Sequence, residues 1–235
     1  MHRFFVVPQM LRADRVTLTG AQARQIATVL RLRTGDEIAL VADGAEAIVA
    51  LEAVHPTSVT AVVRERGFTP AEPTVALTLA LPVLRGDHDE EVVEAVTQLG
   101  VSRIVPFTSA RSVVRSPSDA KRARWERIAR EAAETARRGR VPSIDVARSW
   151  TELFAVLPAP VLVAWEGERR ARLRDVLPTT ARALSLVIGP EGGITDVEIA
   201  LARERGAITV SLGARNLRSE TAAIAAVALT MDRLP

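Results

Sequence analysis

The stretch LVIGPEGGITDVEIA, residues 186–200, runs from an apolar strand through a glycine-rich break into a helical pattern. Gly189, Pro190, Gly192 and Gly193 crowd around one charged residue, Glu191. Glycine tolerates φ > 0 and lets backbone approach a ligand closely, so such a loop suits a binding site as well as a tight turn. Thr195 and Glu198 stand at capping-box spacing, and Gly206 is placed to end the helix they begin. Two other strands finish in similar loops: Trp165-Glu166-Gly167 and Gly213-Ala214-Arg215-Asn216-Leu217-Arg218. In parallel sheets ligands bind beyond the carboxyl ends of the strands. The loops at Gly189–Gly193 and Gly213–Arg218 also lead into helix N-termini, whose free N–H groups point outward. One such loop is explained by a tight turn; two in succession point to a cofactor pocket. The glycine order is neither G-x-G-x-x-G nor a P-loop, which leaves an adenosine-sized ligand unnamed.

Outward from this stretch, the chain divides in pattern. Residues 1–70 read as short strands (RFFVV, RVTL, DEIALVADG, AEAIVALEAV, SVTAVVRER) punctuated by turn signals such as Asp43-Gly44, with one helical piece, GAQARQIATVLR. This predicts a small β-barrel domain. GFTPAEPT, residues 67–74, carries two prolines and a glycine and is the linker. Residues 74–235 then alternate strands with helices, which predicts an α/β domain with a mostly parallel sheet. Its longest helix reads SPSDAKRARWERIAREAAETARRGR, with Trp125, Ile128, Ala129, Ala132, Ala133 and Ala136 on one stripe.

Of the 235 residues, 48% are hydrophobic, enough for a substantial core, yet no run of about 18 uncharged apolar residues would span a membrane. The start, MHRFFVVPQMLRADRV, breaks its apolar run at Pro8 and does not read as a signal peptide. Absence of cysteine excludes disulfides and thiolate metal sites and fits a cytoplasmic location. His2, His55 and His88 lie far apart in sequence, so no metal is expected. Net charge is only +3, but Arg103–Arg148 holds twelve Lys/Arg against five Asp/Glu. Such a segment suits either a polyanion partner or a solvated helix face.

LVIGPEGGITDVE, followed after a strand by SLGARNLRSETA, closely resembles the paired signatures of the RsmE family of SPOUT methyltransferases. HRFFV, VLRLRTGDEI, LGVSRIVPF, REAAETARRGRVP and VAWEG sit in the expected order, so the resemblance covers the whole chain. It implies a PUA-like N-terminal barrel and a C-terminal SPOUT domain with a trefoil knot, an exception to the rule against threaded chains. It also implies a homodimer, S-adenosylmethionine as methyl donor, and methylation of N3 of a uridine in the decoding region of 16S ribosomal RNA. By motif position, the cofactor residues are Ala164, Glu166, Ile188, Gly189, Pro190, Gly192, Gly193, Leu212, Gly213, Asn216, Leu217, Arg218, Thr221 and Ala222. Gly189 and Gly213 would give the adenosine room, with Leu212 and Leu217 flanking the adenine. The sequence departs from the family pattern at Gln25, Ala95, Gln98, Thr135-Ala136 and Asn216, positions where many members carry His, Lys, Glu, Gln-Ser and Ile.

Uridine N3 loses a proton during methyl transfer, so negative charge develops on the pyrimidine and a positioned cation lowers the barrier. Arg218, at the start of the last helix, is the candidate; its structural role would be a salt bridge to Glu220 or Glu191. Glu191 would orient the base or accept the proton, or serve only as an acid at a helix N-terminus. Arg3, Arg31, Arg33, Arg111, Arg115 and Arg138 are candidates for RNA phosphates. Aromatic residues are 3% and tyrosine is absent, so recognition would lean on phosphates and RNA shape rather than base stacking. His88 reads as solvated. Two other functions fit the same pattern: an RNA- and cofactor-binding member with altered catalysis, or a SPOUT enzyme acting on transfer RNA or another ribosomal site.

Overall fold

Period-2 alternation in the first seventy residues produces a sheet with one face turned to a core. The computed structural model describes residues 1–114, 117–178 and 180–234. They form two compact units, Met1–Glu72 with Ala133–Arg140 and Pro73–Ala132 with Val141 onward. In the first unit the elements are β1 (Arg3–Phe5), β2 (Arg15–Thr19), α1 (Gly20–Arg24), β3 (Glu37–Ala42), β4 (Ala45–His55) and β5 (Ser58–Phe68). Among the described residues its sheet has five strands in the order β1-β3-β4-β5-β2, with β1 parallel to β3 and the other pairs antiparallel. Phe4, Val16, Leu18, Ile38, Leu40, Val49, Leu51 and Val59 meet beneath it with Ile26, from the π-type turn Gln25–Val29 that continues α1. Asp43 and Gly44 join β3 to β4 with φ of 50° and 86°, the two positive values a type I′ hairpin demands.

The second unit holds β6 (Ala76–Pro82), α2 (His88–Gln98), β7 (Arg103–Thr108), α3 (Asp119–Thr135, its last turn in the first unit), β8 (Ser143–Ile144) and β9 (Arg148–Ser149). It continues with α4 (Trp150–Val156), β10 (Val161–Ala164), α5 (Leu173–Val176), β11 (Ala183–Ile188), α6 (Asp196–Glu204), β12 (Ile208–Val210) and α7 (Ser219–Arg233). Among the described residues the sheet is parallel throughout, ordered β12-β10-β11-β6-β7-β8, with β9 also on β7. Its strands are apolar on both faces, as a sheet covered on both sides requires. Leu77, Leu79, Leu81, Leu162, Leu184, Leu186 and Ile188 point into one core with α2, α3 and α7. Ala80, Val105, Phe107, Val163 and Val187 point into the other, with α4 and α6. Thr195 caps α6 by the expected reciprocal box with Glu198 and Gly206 (φ 82°) follows it as the sequence predicts; Gly100 (φ 108°) follows α2 in the same way.

One assignment needs correction. The sequence reading carries the long helix through Arg140 and gives all of it to the second domain. The helix ends at Thr135, Arg137 takes φ 57°, and Ala133–Arg140 packs with the first unit. There the Gly139 carbonyl accepts the Gly44 N–H at 2.9 Å. A Cβ on Gly139 would fall 2.7 Å from Gly44 Cα, which is why glycine stands at this crossing.

Candidate active site

The strand order places β10 between β11 and β12, so the chain changes direction across the sheet at β10. The carboxyl ends flanking such a switch point leave a crevice open. Here the loops after β10, β11 and β12 enclose a cavity of about 530 Å³, within the range of small-molecule sites. Ala164, Glu166, Ile188, Gly189, Pro190, Glu191, Gly192, Gly193, Leu212, Gly213, Asn216, Leu217, Arg218 and Ala222 all line it. Thr221, grouped with them by sequence, is exposed on α7 and is not part of the lining.

The loops are braced against one another. Gly193 N–H donates to Pro190 O at 2.8 Å, closing the turn around Glu191 and Gly192. Gly193 has φ 75°, and a Cβ there would lie 2.5 Å from Glu166 Oε1, so this glycine lets two loops approach. The buried Ser219, first residue of α7, donates its hydroxyl to Gly189 O at 2.8 Å and ties the third loop to the second. Trp165 N–H donates to Val210 O at 3.0 Å, and the Arg203 guanidinium lies 5.4 Å from the Trp165 ring centre. Just beyond, Glu168 accepts the N–H groups of Arg170 and Ala171 and the Thr209 hydroxyl at 2.8–3.2 Å. These donors, led by the Arg170 amide, hold its carboxyl down at about 2.

The glycines differ in what they permit. Gly213 has φ 120° and open space within 4 Å of a would-be Cβ, so it is required for backbone conformation. A Cβ on Gly189 would instead meet Ile194 Cγ1 at 2.8 Å. The expectation that Gly189 makes room for a ligand is therefore corrected: its missing side chain makes room for the core.

Electrostatically the rim is mixed. Arg85, Arg215 and Arg218 line the cavity, are exposed, and form no ion pair among the described residues. The salt bridge from Arg218 to Glu220 or Glu191 that would have made it structural is absent among them. Glu191 Oε1 accepts the Arg85 backbone N–H at 3.0 Å, and Arg111 reaches Gly192 O at 3.0 Å. Arg85, His88, Trp165, Ser211, Arg215, Ser219 and Glu220 were not among the residues chosen from sequence. The first two follow β6, which borders β11, so the rule that selected the later loops would have found them. His88 is half-exposed, 4.0 Å from Glu91.

Of the arginines assigned to RNA, Arg31 and Arg33 are exposed. Arg115 lies outside the described residues. Arg138 is corrected: it is 2% exposed and its guanidinium bridges both carboxylate oxygens of Glu72 at 3.1 and 3.2 Å, so no phosphate can reach it. Arg3 is nearly as enclosed, bound to Glu46 and, at 3.2 Å, to Thr69.

Residues 70–231 match the RNA methyltransferase domain family. The ribosomal RNA small subunit methyltransferase E of Bacillus subtilis is 33% identical over 243 residues, covering 97% of this chain and 94% of that protein. The chain belongs to the ribosomal RNA small subunit methyltransferase E family. Two solved structures extend the comparison to three dimensions. The family member of Neisseria gonorrhoeae, solved bound to S-adenosyl methionine, is 29% identical with a TM-score of 0.91, covering 100% of this chain and 98% of that one. A putative methyltransferase of Legionella pneumophila, in complex with the same cofactor, is 26% identical with a TM-score of 0.86, covering 98% and 96%. The family chain described here holds, among its described residues, no cluster of three or more His, Asp or Glu suited to a metal and no helix long and apolar enough to cross a membrane.

Proposed function

We propose that this protein is a cytoplasmic S-adenosylmethionine-dependent methyltransferase that acts on N3 of a uridine in the decoding region of 16S ribosomal RNA in the small subunit. The observation that carries this reading is the cavity at the carboxyl ends of β10, β11 and β12, with a glycine at φ 120° and, at its edge, Arg218, which forms no ion pair among the described residues. Family membership and the cofactor-bound relatives support the same reaction class.

The cavity suits the cofactor. Ile188, Leu212, Leu217 and Ala222 offer apolar surface to an adenine, the Gly213 backbone allows close approach, and Glu166 and Glu220 suit a cationic group. When bound, S-adenosylmethionine supplies an electrophilic methyl group. Arg218 sits at the N-cap of α7 and stabilises the anion that forms as uridine N3 gives up its proton. Glu191 uses one oxygen to hold the Arg85 amide and has the other available to orient the base or take its proton. Arg31, Arg33 and Arg111 contact phosphates.

The five-stranded sheet is read as a PUA-like barrel and the second unit as a SPOUT domain whose trefoil knot involves the chain after β10, where Ser211 bonds Ala171 and Leu173 at 2.7 and 3.0 Å. A homodimer belongs to the same proposal. α7 buries Ala222, Ala223, Ala226 and Val227 in its own unit but leaves Leu229 48% exposed beside Ala225 and Ala228, a face for a second copy. The test is methylation of small subunits that lack the modification, followed by nucleoside analysis. N3-methyluridine in the decoding region is expected; its absence, or a product in transfer RNA instead, overturns the assignment.

A further inference from the structure

We infer that Arg85 anchors a backbone phosphate of the RNA strand entering the cavity, and that Glu191 and the Lys121–Asp89 ion pair clamp its loop in place. The inference rests on the reaction proposed above.

The loop after β6 begins buried, with Val83 and Leu84 at 2% and 1% exposure, then turns outward at Arg85 and Gly86, where φ is 64°. Its backbone is held from two sides. Arg85 N–H donates to Glu191 Oε1 at 3.0 Å, and Gly86 O accepts from Lys121 Nζ at 3.0 Å. Lys121 Nζ also stands 2.9 Å from Oδ2 of Asp89, whose side chain is fully buried. Burial pushes the Asp89 carboxyl up and Lys121 opposes that shift, so the ammonium is what makes a charged group tolerable there. Lys121 is the one lysine among 31 basic residues. A compact ammonium can serve a carbonyl and a carboxylate together where a planar fork needs a wider site.

The side chain contrasts with this fixed backbone. Arg85 lines the cavity, is exposed, and has no ion-pair partner among the described residues. A held backbone lowers the ordering cost of a contact, and a guanidinium matches a phosphate with two parallel bonds. Position separates it from the cofactor loop after β12, although its backbone bonds Glu191 in the loop after β11. β6 lies three places from β12 in the sheet, about 14 Å at the usual strand spacing, so Arg85 enters from the side opposite Leu212 and Gly213.

The shared chemistry is an oxyanion, and the cofactor carries one too, as a carboxylate. The experiment separates them by measuring, for Arg85→Ala, cofactor affinity by calorimetry, small-subunit binding against salt, and steady-state methyl transfer. Cofactor affinity should stay within about twofold, KM for the small subunit should rise about tenfold with kcat little changed, and the salt slope should fall by about one. Arg85→Lys should keep the slope and recover part of the affinity. Lys121→Met should raise KM and add nothing in combination with Arg85→Ala, since it acts through it; Glu191→Ala, which also removes the carboxylate facing the base, should lower kcat besides raising KM. Unchanged KM and slope in Arg85→Ala overturn the inference, as does a loss confined to cofactor affinity. An additive effect of Lys121→Met with Arg85→Ala overturns the clamp. Should the unmutated protein leave small subunits unmethylated, the proposed reaction fails, while binding and its salt slope still decide Arg85.

Discussion

Arg138 of the first unit and Arg218 of the second carry the same guanidinium into opposite surroundings. Arg138 is 2% exposed and forked onto Glu72; Arg218 is exposed at the cavity with no ion pair among the described residues. A buried, neutralised charge holds structure and offers nothing to a ligand, because the carboxylate already occupies its donors. An unpaired one at a cavity mouth contributes little to folding and has its field available for a substrate. Composition cannot separate the two, since both lie in arginine-rich stretches and only the fold decides which acid comes within reach.

The largest effect expected from breaking this contrast is on stability. Arg138→Ala takes the cation from Glu72, leaving it the Gly139 and Arg140 N–H groups, and should destabilise the protein by about 3 kcal/mol, the lower end of the scale for removing one partner of a buried pair. A lowered urea midpoint in equilibrium unfolding checks this. Arg138→Met with Glu72→Gln, which keeps an acceptor for the Gly139 and Arg140 N–H groups, should recover much of the loss, and RNA binding by the folded double variant should match the original.

Arg218→Ala should do the reverse. Folding and cofactor affinity should stay near those of the unmutated chain while the single-turnover methyl-transfer rate falls about a hundredfold or more, the scale for losing one electrostatic stabiliser of a transition state. Arg218→Lys should restore part of the rate, because an ammonium supplies charge without the planar fork. A near-normal rate in Arg218→Ala, or an inactive variant that no longer folds, would move Arg218 into the class of Arg138.

A smaller effect belongs to exposed charges away from the cavity. Arg31 and Arg33 are exposed, and neutralising both should reduce the magnitude of the salt slope of RNA binding by slightly less than two while leaving cofactor binding intact. A slope that does not change would remove both from the RNA-binding set.

The same contrast explains what the sequence could show. Parallel strands and their loops were readable because local signals agree: apolar runs, the Thr195–Glu198 capping box, Gly100 and Gly206 after their helices. The start of α4 carries a signal of the same kind, since Ser149 and Glu152 form another capping box there. Other features depend on contacts distant in sequence. The Arg138–Glu72 pair spans 66 positions and the Arg85–Glu191 bond 106, and no periodicity reports either. Gly189 shows the same limit, since whether its missing Cβ serves a ligand or Ile194 is settled only by packing.

Glu168 provides the mildest test, read from a difference that fades in acid. Its carboxylate accepts the Arg170 and Ala171 amides and the Thr209 hydroxyl, and its pKa is lowered from the usual 4.5 to about 2. A carboxyl lowered on folding adds stability that is fully present above its unfolded value and is lost as pH falls through the folded one. The contribution of Glu168 should therefore be complete above pH 4.5 and decline between there and about pH 2. Glu168→Gln removes the titration but keeps an acceptor, so the stability difference between variant and original should shrink across that window. Unfolding midpoints at a series of pH values measure it. Because Thr209 sits on β12 and Arg170 on the chain leaving β10, the bonds also fix the bend beyond the cavity. Cofactor affinity of Glu168→Gln should accordingly be weaker than that of the original at neutral pH and approach it as pH falls. A constant difference across the window would mean that the bend holds its shape without the charge.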